Sequence, residues 1–92
     1  MTEPQQKVEA TLSTLLYSLG SAAAMSLGLV PNPNTNKTEV NLTVAQFNID
    51  MLEVLEQKTQ NNLSKEESDF LKHLLSDLRL KYVETAKNHK NS

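Results

Sequence analysis

Residues 12–30 read LSTLLYSLGSAAAMSLGLV. No charged residue occurs between Glu9 and Lys37, so the stretch can be taken for a membrane span, an export signal or a helix covered by protein. Its length nearly suffices for a span. Four serines, one threonine and two glycines make it a poor lipid solute, however. The preceding MTEPQQKVEA lacks the net positive start of a signal peptide, and cleavage at SAAAM would cut a helix in two. The expectation is a cytoplasmic chain with no membrane partner. Three Asn-x-Ser/Thr triplets, at Asn36, Asn41 and Asn62, then carry no sugar and are products of an Asn-rich composition.

Read as a helix, the stretch belongs to a longer periodic segment, about residues 6–27. Val8, Leu12, Leu15, Leu16, Leu19, Ala22, Ala23 and Leu27 recur at three- and four-residue steps. Gly28 is placed to close it in a left-handed C′ conformation, with Leu29 folding back on the last turn. The opposite side is the informative one. Ser13, Thr14, Tyr17, Ser18, Gly20, Ser21, Ala24 and Met25 are uncharged and mostly small, where a solvent face would carry Lys and Glu. Tyr17, Gly20, Ser21, Ala24 and Met25 are therefore candidates for a second contact face, since small residues allow close helix approach.

Working outward, residues 28–40 are too rich in Pro and Asn for a helix. Pro31 and Pro33 favour extended backbone, and Asn36 is placed at a left-handed turn position. The segment reads as a strap. Fully extended, Pro31 to Val40 reaches about 30 Å, so it can run back along a bundle, pinned by Leu29, Val30 and Val40, or cross to another subunit. The second helix, about 42–59, starts from Asn41 as N-cap. Thr43, Gln46, Asp50, Glu53 and Gln57 form a narrow polar stripe, and Leu42, Val44, Ala45, Phe47, Ile49, Met51, Leu52, Val54 and Leu55 cover most of the remainder. Such a helix is packed on more than one side. Asn48 falls inside the apolar arc, where an unpaired amide costs about 1–3 kcal/mol. It is expected to hydrogen-bond across to another helix, either as a register-setting contact in an interface or to a Ser or Tyr of the first helix.

Asn61 suits a left-handed C-cap and Ser64-x-x-Glu67 a capping box, which opens a third helix over about 65–86. Phe70, Leu71, Leu74, Leu75, Leu78 and Tyr82 form its core stripe. Leu80 and Val83 lie off that stripe among polar residues; Leu80 joins Asn48 and the first-helix group as a candidate interface residue.

With 92 residues and no cysteine, the chain is one small domain without disulfide or thiolate-zinc support, and good helix packing or self-association must stabilise it. The expected bounds are 7–86 for the domain, with disordered tails at 1–6 and 87–92. A net charge of -2 argues against general attraction to nucleic acid. Arg79, Lys81, Lys87 and Lys90 against Glu84 make the C-terminal end the one basic patch, and a nucleic-acid role through it is the runner-up reading. Neither glycine sits in a phosphate-cradling pattern, and nucleophile and base fall into no familiar order, so no catalytic residue is assigned. Asp69, His73 and Asp77 share a helix face at four-residue steps. That spacing describes a solvated face as well as a weak metal site, so a metal-dependent enzyme is a distant third reading and no metal or cofactor is expected.

The joint pattern of LGLVPNPNTNK, VNL, NIDMLEVLEQKT, NLSKEE and DLRLKYVE, spanning Leu12 to Glu84, resembles a bacterial family of short proteins described only as a domain of unknown function. Relatives typically carry Gly at the positions of Asn36 and Asn61 and Asp at those of Asn32 and Asn41, replacements that suit a turn or a cap. The resemblance implies a small cytoplasmic helical protein and brings no activity, ligand or catalytic residue. The combined expectation is an all-α, three-helix domain that self-associates as a dimer and serves as an interaction or structural module, with a further protein partner possible.

Overall fold

The computed structural model describes residues 10–90, with side chains through Asn88. Three helices account for it: α1 (Leu12–Ser26), α2 (Leu42–Lys58) and α3 (Lys65–Lys90). The chain is an all-α three-helix domain.

Each boundary has a local cause. Thr11, in extended backbone, caps α1 by accepting from the Thr14 amide at 3.1 Å. This cap moves the start of α1 from the expected Gln6 to Leu12; residues 6–9, Val8 among them, lie outside the described residues. At the other end the Leu29 amide donates to the Ala24 carbonyl and the Gly28 amide to that of Met25, both at 3.0 Å, with Gly28 at φ 75°. That is the paired closure that a left-handed C′ residue permits. Asn41 Oδ1 accepts from the Val44 amide at 3.1 Å to open α2. Asn36 and Asn61 both have positive φ, 60° and 69°, as their turn and cap roles require. The capping box forms in full: Ser64 Oγ accepts from the Glu67 amide at 3.1 Å, and the Ser64 amide donates to Glu67 Oε1 at 2.9 Å. α3 then runs to Lys90, past the expected Ala86.

The Pro/Asn segment does not use its reach. Leu27 pairs with Val40 and Asn32 with Lys37 in two antiparallel bridges, and the Asn41 amide donates to the Ser26 carbonyl at 2.7 Å. Asn32 organises the tip, its side-chain oxygen accepting from the Asn34 amide at 2.8 Å in the local turn that Asx side chains favour. A loop closed at its base holds the end of α1 against the start of α2, so α2 returns along α1. Val40 Cγ2 would lie 2.9 Å from a Cβ at Gly28, and Leu29 and Val30 face outward. The strap is a small hairpin of this chain rather than a tether along the bundle.

Three residues from each element make the core: Leu16, Ala23 and Leu27 from α1 and its cap, Ala45, Ile49 and Leu52 from α2, Leu71, Leu75 and Leu78 from α3. Their steps of three, four and seven residues place each set on one helix face. Phe70, expected in the core, stands at its edge and is exposed.

Candidate functional site

Along α1 only the backbone and neutral hydroxyls supply polarity, because no side chain from Leu12 to Ser26 is ionic. Its buried line is Leu16, Gly20, Ala23 and the cap Leu27. Around the rest of the helix, Tyr17 is 69% exposed and Leu15 45%. Ser18 is exposed as well, and Ser21, Ala22, Ala24 and Met25 are half-buried.

The seven candidate residues do not form one site. Gly20 is buried against α3, where an added Cβ would approach Leu74 Cδ1 to 2.9 Å; its smallness serves a contact within the chain. Asn48 is buried, but its Nδ2 donates to the Val44 carbonyl of its own helix at 3.0 Å. The expected bond to another helix is replaced by this back-bond to the carbonyl one turn earlier, the local alternative open to a short amide side chain. Leu80 is exposed on α3, apart from the α1 group. Tyr17, Ser21, Ala24 and Met25 share the outer side of α1.

Met25 meets α2. Together with Ala22, Ser26 and Val44 it lines an open hollow of about 250 Å³ beneath the strap. From Val44 a second apolar line continues along α2: Val44, Phe47, Met51 and Val54 are 41%, 61%, 39% and 48% exposed. Their steps of three, four and three residues keep them on one seam. Sequence reasoning counted these four in the apolar arc of α2 but left them out of the candidate site. Their spacing was the available signal, since two seams on one helix require two covers.

The ionic groups lie elsewhere. Arg79 of α3 pairs with Glu53 of α2, which partly neutralises the basic end of α3. Lys65 and Asp69 pair at 2.9 Å on the exposed side of α3. The hydrogen bond and charge of Lys65 hold the Asp69 carboxyl below its ordinary range and raise the lysine. His73 Nδ1 is 2.9 Å from the Asp69 backbone carbonyl, so carboxylate and imidazole are engaged separately. Among the described residues no three His, Asp or Glu side chains converge as a metal site. A cleft of about 390 Å³ at the α2–α3 turn is lined by Glu56, Thr59, Gln60, Ser68 and Lys72 among others, and the Thr59 hydroxyl is engaged with the Leu55 carbonyl at 2.6 Å. No helix among the described residues is long and apolar enough to cross a membrane.

Residues 9–84 match the family described as "Domain of unknown function (DUF1844)". The chain belongs to the DUF1844 family. No curated protein and no solved structure matches it. The DUF1844 match takes in all of α1 and α2, hence the outer α1 side and the α2 seam, and stops at Glu84 within α3.

Proposed function

We propose that this DUF1844 chain is a non-catalytic, self-associating interaction or structural module of the cytoplasm, working as a dimer through the uncharged outer side of α1 with help from α2. One observation carries the reading. Among the described residues, four large apolar side chains in one line along α2, Val44, Phe47, Met51 and Val54, stay exposed next to the uncharged α1. Scattered single apolar residues on a surface need no explanation, but a contiguous apolar region beside a helix without charges does. A domain this small also gains from a partner, because its own core buries a limited share of its surface.

Light scattering of the purified chain at two concentrations tests this. The expected mass is twice the 10.3 kDa of one chain. A single-chain mass at both concentrations rejects the reading.

A further inference from the structure

The reading of the chain as a dimer leaves open which surface is shared, and the residues next to one another on α1 and α2 answer that. We infer that the shared surface is the α1–α2 face, stacked on the same face of a second copy about a two-fold axis parallel to the helices, so that α2 of each chain lies over α1 of the other. This inference rests on the self-association proposed above and moves the contact toward α2: of the candidate residues on the outer side of α1 only Met25 lies on this face, while Tyr17, Ser21 and Ala24 stay outside it.

Leu15, Ser18, Ala22 and Met25 of α1 follow the same three-four-three spacing as Val44, Phe47, Met51 and Val54 of α2. Met25 and Val44 border one hollow, and the closed strap sends α2 back along α1. Equal rise in the two helices then sets Ala22 level with Phe47, Ser18 with Met51, and Leu15 with Val54. The face thus has a ridge of large side chains on α2 and a trough on α1, where Ser18 and Ala22 are small. Rotation about an axis parallel to the helices exchanges left and right at constant height. It places the partner's ridge over this chain's trough and satisfies both contacts at once, as an isologous interface must. Rotation about an axis across the helices would set ridge on ridge.

Charge and size also favour a second copy. The eight residues carry no charge, so two copies meet without repulsion and without stranding an ion, whereas a charged partner would lose hydration with nothing to pair. Asp50, three residues after Phe47 and four before Val54, puts a polar group at the edge of the apolar seam. Two helices about 10 Å wide and some fifteen residues long give a footprint of roughly 450 Å² before side-chain relief is counted. That is a little over half of the ~800 Å² of accessible surface that each partner contributes to a stable complex, and the relief of Leu15, Phe47 and Met51 adds to it. On α3, by contrast, Leu80 and Val83 stand among Arg79, Lys81 and Glu84.

The absence of native cysteine makes disulfide trapping clean. Ser18→Cys and Met51→Cys chains are purified separately, mixed, equilibrated and oxidised. A disulfide needs Cα atoms within about 7 Å, so the mixture should yield a covalent dimer and neither variant alone should. Self-linking of Met51→Cys would place ridge on ridge and overturn the geometry. A dimeric mass with no covalent product in any sample would move the interface elsewhere and overturn the inference while leaving self-association standing. A monomeric wild-type mass would instead remove the self-association reading itself, leaving the face to a helix of another protein. As a second measure, Phe47→Asp should halve the scattering mass with unchanged helical circular dichroism, since Phe47 is 61% exposed in the single chain. A Phe47→Asp chain that remains dimeric would equally overturn the inference.

Discussion

The inner and outer seams of α2 are built alike and end differently. Ala45, Ile49 and Leu52 face α1 and α3 and are at most 2% exposed; Val44, Phe47, Met51 and Val54, on the same turns, are 39–61% exposed. Composition does not separate them, for the outer set holds the larger side chains. What separates them is the strap. Leu27 pairs with Val40 and Asn41 with Ser26, and these backbone contacts constrain how α2 is rotated against α1. The three-helix core can then cover only one of the two seams. The difference teaches that periodicity shows a helix wants a cover, while the connection decides which seam receives it from the same chain.

The comparison can be broken most forcefully from inside. Leu52→Ala should cost about 3 kcal/mol by leaving a cavity among the three helices, a fall in Tm on the order of 15 °C for a domain this small. A loss under about 1 kcal/mol in denaturant melts would mean that the inner seam is not the core. Gly28→Ala tests the connection: a side chain at φ 75° facing Val40 should cost about 1–2 kcal/mol, measurable by urea denaturation. An unchanged midpoint would show that the strap does not set the rotation of α2. On the outer seam, Val54→Ser should alter the stability of the dilute, single-chain form by less than about 0.5 kcal/mol. In the wild type Tm should rise with protein concentration, and in this variant more weakly, by linkage of folding to association.

The smallest effect is expected at the exposed Lys65–Asp69 pair. Its lowered carboxyl pKa gives Asp69 a contribution that is present at neutral pH and lost as pH falls through the folded-state value, below the ordinary 3.8. Solvent screening keeps it slight. Lys65→Met should therefore leave Tm unchanged within error and return the NMR titration of Asp69 upward toward its ordinary midpoint. A clear drop in Tm would show that surface pairing on α3 contributes as much as a cap.

Much of the fold was legible residue by residue. Gly28, Asn36 and Asn61 adopt the left-handed backbone that their types tolerate, and Asn41, Ser64 and Glu67 form the caps that their spacing announced. The start of α1 was misplaced because periodicity continues upstream through Val8, whereas a helix begins where a side chain such as Thr11 satisfies its free amides. The candidate surface was legible only in part. Lack of charge drew attention to α1, but it could not distinguish Gly20, turned to Leu74, from Ser18, turned to solvent. Asn48 shows the same limit: its type implied a partner but did not say that the partner would be the Val44 carbonyl of its own helix.

By itself, then, the sequence determined what is local: three amphipathic segments, their caps, a turn-rich connection and a helix free of ionic groups. These follow from side-chain chemistry acting within a few residues. Only the tertiary structure decided which apolar seam of α2 is enclosed and which lies bare beside α1. That choice depends on the relative rotation of two helices, and the bridges at the base of the strap constrain it across fourteen positions of chain from Leu27 to Val40.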